Sequence, residues 1–360
     1  MHVTTRVPQI EPGCPKRMVY GPCGGVRNDL NCEMSAFRCP FTERLPVEWL
    51  PEPGLSGGRA LAAEIARAGV SLSAHTQAAG SLLATAAIRP VVLTDFTVRP
   101  FDPVSIAEVT GALAGSCDAV LVGEHNNRPD FPPALLVPML RELGFASWVT
   151  LTCRDRNRVV LEQDLAALAA LDSEGVLCVT GDGRGEGVRP GVTSVFDLDS
   201  ARLAASASAA GLSVAVAESP EAEPQQDRAF RLLQKQRAGA KVCFLNHMSS
   251  ASRLARFVAE ARQAGVIVPF IASVAVYTDE RSASVLQNFP GLHLDSERVA
   301  AVLAACDPVR AGIAAAIAEA HEVLQIPGVV GVNISGLASA AGELPAAEIK
   351  AIVGREVLGR

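Results

Sequence analysis

The sequence has few aromatic residues and no long apolar run, and both absences narrow the classes of protein to which it can belong. Aromatic residues make up 4% of the 360 positions, whereas hydrophobic residues as a whole make up 49% and charged residues 19%. Small aliphatic side chains therefore supply most of the core, which favours helices packed on a parallel sheet. No stretch of about 18 uninterrupted apolar residues occurs, so we predict no membrane span.

The net charge and the distribution of cysteines exclude further classes of protein. The net charge is -6, and no Lys/Arg block is long enough to follow a phosphate backbone, so we predict no nucleic-acid partner. The N-terminal stretch MHVTTRVPQIEP lacks an apolar signal core, so we expect a cytoplasmic protein. Reduced thiols explain the scattered cysteines better than a disulfide framework does. These are Cys117, Cys153, Cys178, Cys243 and Cys306.

The other four cysteines lie close together in the first forty residues. Cys14, Cys23, Cys32 and Cys39 are separated by eight, eight and six residues. Four thiolates can complete a tetrahedral zinc site, and the glycines of GPCGG allow a short loop to wrap an ion. The spacing matches neither a paired CxxC ribbon nor a ferredoxin run, and we favour zinc over an iron–sulfur cluster. We therefore predict a cysteine-rich metal-binding module over 1–45.

After a proline- and glycine-rich linker (46–60), a first helix ends at Gly69, and short apolar runs then alternate with amphipathic helices. Two or three helices fall in the long gap 275–328. The alternation predicts an α/β fold, a (β/α)8 TIM barrel over 61–360. An open doubly wound sheet is the alternative, weakened because no GxGxxG follows the first strand. The eight predicted strands are 90–96, 118–124, 147–153, 175–181, 212–218, 241–247, 266–274 and 329–335.

Polar residues follow these strands at their carboxyl ends, where such barrels place their chemistry. Carboxylates from several strands suit a polar small-molecule site that manages protons, although each could instead cap a helix or bind loop amides. In the loop TGDGRGEG (180–187), glycines around Asp182 and Glu186 let a ligand approach the backbone. The full set is Asp95, Glu124, His125, Asn126, Cys153, Arg154, Asp155, Asp182, Glu218, Asn246, His247, Ser273 and Asn333.

The strings VTLTCRDRNRVVLEQDL and LDSEGVLCVTGDGRGEG resemble methylenetetrahydrofolate reductases, in which one strand ends in LTC and the next in TGD. AGAKVCFLNH and GVIVPFIASVAV resemble two further segments of that family, so the resemblance spans roughly 88–340. The cysteine run is similar to the zinc-binding module named after the C-terminal region of these reductases. That module also occurs in subunits that partner reductases. The resemblance implies an eight-stranded barrel acting in one-carbon folate metabolism and methionine biosynthesis.

The resemblance also implies roles for individual positions. Asp95 matches the glutamate that assists protonation of folate at N10, and Asp182 matches the aspartate that faces the pterin and tunes the flavin. Both are therefore predicted to be catalytic. Predicted substrate contacts are Glu124, Asn246, His247 and Ser273. Predicted cofactor contacts are Thr152, Gly181, Asp182, Glu218 and Lys235, and the predicted zinc ligands are Cys14, Cys23, Cys32 and Cys39.

The sequence departs from the family at several flavin-binding positions. The family's VTYGAGGS reads VLVGEHNNR, its histidine before LTC is Thr150, and two of its helix contacts fall on Arg228 and Arg231. The sequence therefore leaves FAD open. Small flavin-free relatives imply that hydride can pass directly from NADH or NADPH to the folate.

The leading hypothesis is reduction of 5,10-methylenetetrahydrofolate to 5-methyltetrahydrofolate with NAD(P)H. One alternative is a non-catalytic folate-binding or scaffold subunit of a one-carbon enzyme complex, and another is a pterin-dependent methyl carrier enzyme. The sequence leaves open a reductase or methyltransferase partner subunit and assembly into a homo-oligomer.

Overall fold

The computed structural model describes residues 8–44, 47–51, 63–64, 67, 81–124, 127–171, 173–184, 188–289 and 291–360. Eight parallel strands pair in chain order, and the last pairs with the first to close a barrel. The predicted TIM barrel is confirmed, and the alternative of an open doubly wound sheet is wrong.

Each strand lies on one of the predicted apolar runs, although the last two extend three residues further at their carboxyl ends. β7 continues through the apolar residues Ala275, Val276 and Tyr277, whereas β8 continues through Gly336, a residue type that usually indicates a turn. The strands are β1 (Val91–Phe96), β2 (Ala119–Val122), β3 (Ser147–Thr152), β4 (Gly175–Val179), β5 (Val214–Glu218), β6 (Val242–Leu245), β7 (Phe270–Tyr277) and β8 (Val329–Ala338).

Eleven α-helices lie in the part of the chain that the structure describes, and three of them occupy the long gap before β8. Most begin at an aspartate, asparagine or serine whose side chain accepts a backbone N–H, as Asp199 does from Ala201 and Arg202. They are α1 (Leu82–Ala86), α2 (Pro103–Leu113), α3 (Pro133–Glu142), α4 (Arg158–Ala170), α5 (Ser200–Ala209), α6 (Arg228–Arg237), α7 (Ala251–Gln263), α8 (Glu280–Gln287), α9 (Ser296–Leu303), α10 (Pro308–Leu324) and α11 (Glu343–Leu358).

Two sequence predictions fall partly or wholly outside this description. The helix predicted to end at Gly69 lies outside the described residues for most of its length. His125, Asn126 and Glu186 lie outside them as well. None of the described helices is both long and apolar enough to cross a membrane.

Alternate residues of each strand face the barrel interior, and these residues change from apolar to polar along the barrel axis. Near the amino ends the interior is apolar, and Leu93, Trp148 and Phe244 pack there in one buried cluster. Trp148 takes so much room that a Cβ on Gly175 would lie 2.5 Å from its ring. Towards the carboxyl ends, polar residues such as Asn246 follow at the same alternation. The apolar layer therefore closes one end of the barrel and leaves a polar cavity at the other.

The N-terminal residues 8–44 pack on this polar end. They contain two isolated β-bridges, Val26 with Cys32 and Asn31 with Arg38, and a small core of their own around Met18 and Phe41. The segment joins the barrel through buried contacts. The Val19 N–H donates to Asp199 Oδ2 at 3.2 Å. The ring of Tyr20 lies 4.6 Å from that of Trp49 in the linker, and the Trp49 N–H donates to Gln234 of α6. We call residues 8–44 the cysteine segment.

Candidate functional site

A cavity of about 850 Å³ lies at the carboxyl ends of the strands. This volume is near the upper end of the range for small-molecule sites, so it can accommodate two planar ring systems together. The structure brings every predicted substrate and cofactor residue into its wall. These are Asp95, Glu124, Thr152, Gly181, Asp182, Glu218, Lys235, Asn246, His247 and Ser273. Their individual roles stay predictions.

Asp95 at the end of β1 is fixed from several directions. Asn333 Nδ2 on β8 donates to Asp95 Oδ1 at 2.8 Å, and the Gly336 N–H donates to Oδ2 at 3.3 Å. The buried Lys350 of α11 donates to the backbone oxygen of Asp95 at 3.1 Å. Burial lowers the pKa of Lys350, and the nearby Asp95 partly offsets that shift. β8 thus sets the direction of the carboxyl group, while α11 holds the backbone of the same residue.

His247 follows β6 and is buried in the same wall. Its Nε2 atom hydrogen-bonds to Ser335 Oγ at 2.5 Å, while Nδ1 has no hydrogen-bond partner among the described residues. Burial lowers the pKa of His247 from its usual 6.5 to about 4. The imidazole is therefore neutral at physiological pH, and Nδ1 remains available to a bound molecule.

Asp182 lies in the loop after β4. The cysteine segment forms hydrogen bonds with the peptide groups on both sides of this residue. Lys16 Nζ donates to the Gly181 oxygen at 2.6 Å, and the Gly183 N–H donates to Glu33 Oε2 at 3.0 Å. Lys16 and Glu33 form a buried ion pair with each other. Burial raises the pKa of Asp182, and Lys16 partly offsets that shift. Two residues remote in sequence thus fix the position and influence the charge of Asp182.

Glu218 and Lys235, both predicted cofactor contacts, bind each other. Lys235 Nζ lies 2.8 Å from Glu218 Oε2, and Arg228 Nη1 lies 3.5 Å from Glu218 Oε1. Burial raises the pKa of Glu218, but Lys235 and Arg228 bring it below its usual value. Arg228 also donates to the backbone oxygens of Ala222, at 2.8 Å, and Cys23, at 2.9 Å. This buried charge network joins β5, α6 and the cysteine segment.

Two further predicted residues are held by neighbours in the wall. Glu124 accepts from Thr152 Oγ1 at 2.7 Å and from Arg156 Nη1 at 2.7 Å. Asn246 Nδ2 donates to Ser219 Oγ at 2.8 Å. These bonds fix the orientation of the side chains before any ligand enters.

The four N-terminal cysteines lie near one another as free thiols. Burial raises the pKa of Cys14 to about 12 and that of Cys39 to about 11. Within the described ranges, no three His, Cys, Asp or Glu side chains are arranged around one point as a metal ion requires. The thiols thus do not form a completed ligand set in this structure, and zinc binding by Cys14, Cys23, Cys32 and Cys39 stays a prediction.

Sequence reasoning missed several residues of the wall. Lys16, Gly24 and Gly25 of the cysteine segment line the cavity, as does the buried Arg231 of α6. No periodic pattern could place the cysteine segment over the barrel. The charged residues Arg228, Arg231 and Lys235 recur at helical spacing, with the apolar residues Phe230, Leu232 and Leu233 between them. That stripe was a signal that α6 faces a polar site.

Comparisons with known proteins bear on the family and the fold of the chain. The family profile described as methylenetetrahydrofolate reductase matches residues 126–326. Among solved structures, one similar chain is an uncharacterized protein from Clostridium thermocellum that binds two copies of 5-methyl-5,6,7,8-tetrahydrofolic acid. Its TM-score is 0.55 at 10% identity, over 78% of this chain and 100% of that one. Tryptophan synthase from M. tuberculosis gives a TM-score of 0.44 at 14% identity, over 79% and 98%. No curated protein sequence matches the chain.

Proposed function

This chain belongs to the methylenetetrahydrofolate reductase family, and we propose that it reduces 5,10-methylenetetrahydrofolate to 5-methyltetrahydrofolate with NADH or NADPH. The observation that carries the proposal is Asp95, which projects from β1 into a cavity large enough for both reactants. The structural neighbour that binds a reduced folate supports the substrate class.

The reaction needs a proton and a hydride. Protonation of the departing ring nitrogen opens the five-membered ring and leaves an iminium at the one-carbon unit, which then accepts the hydride. We assign the proton transfer to Asp95, because Asn333 and Gly336 fix its carboxyl group at the wall. A reduced nicotinamide supplies the hydride and leaves oxidised. The hydride converts the one-carbon unit into the methyl group, and the proton remains on the nitrogen that has left the ring.

Asp182 and His247 suit contacts to the polar edge of the folate ring. Burial raises the pKa of Asp182, which favours the protonated carboxyl that can donate a hydrogen bond. The neutral imidazole of His247 presents Nδ1, which accepts or donates no hydrogen bond within the described part of the chain. Both groups can therefore position the ring without placing an unbalanced charge beside it.

We propose direct hydride transfer without a bound flavin. Arg228 stands at one position of the family's flavin contacts, and there it lies 3.5 Å from Glu218, which also pairs with Lys235. Arg228 further donates to the oxygens of Ala222, Glu223 and Cys23. Groups used in this way do not fit a flavin cradle. Nicotinamide and folate rings that stack in one cavity gain instead from proximity.

The test is NADH and NADPH oxidation by purified protein with methylenetetrahydrofolate, with and without added FAD. We expect turnover without FAD and a protein that lacks flavin absorbance. Asp95→Asn should lower kcat at least a hundredfold, since general acid catalysis contributes about 10²–10⁴. Asp307→Asn, at the exposed N-terminal cap of α10 and outside the cavity, is the matched control. Absence of turnover under every condition would refute the proposal.

The alternative function is a non-catalytic folate-binding or scaffold subunit. The neighbour from Clostridium thermocellum favours it, because that protein is described by its folate binding and not by an activity. Tight tetrahydrofolate binding without turnover, together with co-purification of a reductase or methyltransferase, would support this alternative.

A further inference from the structure

A second cavity, of about 430 Å³, adjoins the main one beside β2 and β3. Gly123, Glu124 and Arg128 line both cavities, so a ligand in the main cavity can extend into the second. Four arginines line the second cavity, and the site described above uses none of them to contact a substrate. They are Arg128, Arg156, Arg184 and Arg189.

Two of these arginines are fixed in place by carboxylates. Arg156 Nη1 lies 2.7 Å from Glu124 Oε1, and Arg156 Nε lies 2.8 Å from Asp164 Oδ2. Arg184 pairs with Asp155. A guanidinium carries five N–H donors in a rigid fork, so a carboxylate on one edge leaves other donors for a ligand.

The other two arginines are exposed at the cavity rim. Within the described ranges, neither Arg128 nor Arg189 forms an ion pair. Among the residues that the structure describes, no carboxylate therefore pairs with either guanidinium.

The carboxylates in this wall are already engaged. Glu124 accepts from Arg156 and Thr152, and Asp155 accepts from Arg154 at 2.9 Å as well as from Arg184. The remaining carboxylate, Asp130, accepts the N–H groups of Phe101 at 2.9 Å and Phe131 at 2.7 Å. The charge left to act on a ligand in this cavity is consequently positive.

We propose that the second cavity binds the anionic end of the ligand held in the main cavity. The ligand chemistry is a chain of carboxylates or phosphates, which guanidinium groups bind through paired N–H donors. Under the function proposed above, on which this assignment rests, the anion is either the glutamate tail of the folate or the phosphates of the nicotinamide nucleotide.

The experiment compares wild type with Arg128→Gln/Arg189→Gln by calorimetry. The control is Arg256→Gln/Arg310→Gln, which removes two exposed arginines from α7 and α10, outside both cavities. Inorganic pyrophosphate is the first probe, because its binding does not depend on the proposed function. We expect about tenfold weaker pyrophosphate binding in the cavity variant and none of this loss in the control. Equal binding in wild type and the cavity variant, or an equal loss in the control, would overturn the proposal.

Two more probes identify the source of the anion. If the folate tail occupies the second cavity, tetrahydrofolate triglutamate loses its affinity advantage over the monoglutamate in the cavity variant, whereas NADH binding is unchanged. If the nucleotide phosphates occupy it, NADH binding weakens about tenfold and the triglutamate advantage persists. If neither ligand loses affinity, the second cavity does not serve the main one and the proposal is wrong. Failure of the reductase assay leaves the pyrophosphate result intact, so the two failures are distinguishable.

Discussion

Replacing Lys16 by methionine should destabilise the protein and loosen the loop that carries Asp182. The Lys16 side chain is 3% exposed and pairs with Glu33, which is 7% exposed. Methionine keeps the apolar stem of lysine but carries no charge. The Gly181 oxygen then loses the hydrogen bond from Lys16, and the buried Glu33 carboxylate keeps the Gly183 N–H but loses its ion-pair partner. Removing one partner of a buried ion pair costs about 3–5 kcal/mol.

This loss converts into a measurable shift of the melting temperature. An unfolding entropy of about 2.1 cal/mol/K per residue gives roughly 0.76 kcal/mol/K for 360 residues. A destabilisation of about 3–5 kcal/mol then lowers Tm by roughly 4–7 °C. Hydrogen exchange at the Gly183 amide should accelerate as well, because the loop loses the contact that Lys16 makes on its other side.

A double-mutant cycle separates the ion pair from general damage. Glu33→Gln neutralises the carboxylate, so the Lys16→Met/Glu33→Gln protein should recover about 1–3 kcal/mol relative to the sum of the single changes. The matched control is the exposed pair Arg237 and Glu48, 2.6 Å apart and 40% and 50% exposed. Removing that pair should cost no more than about 1 kcal/mol. Strict additivity of the two changes, or a Lys16→Met effect as small as that of Arg237→Met, would refute the reasoning.

Three further predictions concern separate parts of the molecule. Because burial lowers the pKa of His247 to about 4, its stabilising contribution is complete above pH 6.5 and is lost as pH falls towards 4. When the free energy of unfolding is measured with urea at pH values from 6.5 to 4, the His247→Gln variant should not show this decrease of about 3 kcal/mol. Gly175→Ala places a Cβ 2.5 Å from Trp148 and should destabilise by about 1–3 kcal/mol in denaturant titrations, whereas Gly111→Ala, with nothing within 4 Å, should not. Metal analysis should find about one zinc per chain and its loss in Cys23→Ser; iron in its place would contradict the zinc prediction.

The barrel could be predicted because its strands carry a local signal. In β4, for example, Leu177 is buried in the barrel interior and Cys178 is buried against the helices. The strand is therefore apolar on both faces. Since chemistry collects at the carboxyl ends of such strands, the position of Asp95 in the cavity followed from the strand order alone. The individual bonds of Asp95 did not, because Asn333 lies 238 residues away along the chain.

The position of the cysteine segment could not be predicted, because it depends on contacts with no periodicity. Lys16 meets Gly181 across 165 residues, and each side of that contact is a loop. Glu218 and Lys235 illustrate a second limit. The positions of these two charged residues in the sequence suggested contacts to a cofactor. The sequence alone does not show that their side chains lie close enough to form an ion pair with each other.

The close fit between the cysteine segment and the barrel indicates that the two act as one site. A Cβ on Gly291 would lie 2.4 Å from the Gly24 oxygen, and a Cβ on Gly24 would lie 3.1 Å from Ser219 Oγ. At such distances a shift of the loop around Cys23 must move the cavity wall, because Gly24 lines it. We therefore expect a change in the state of the cysteines to alter the shape of the cavity. For this reason Cys23→Ser should change tetrahydrofolate affinity together with metal content, although no cysteine is assigned a role in the chemical step.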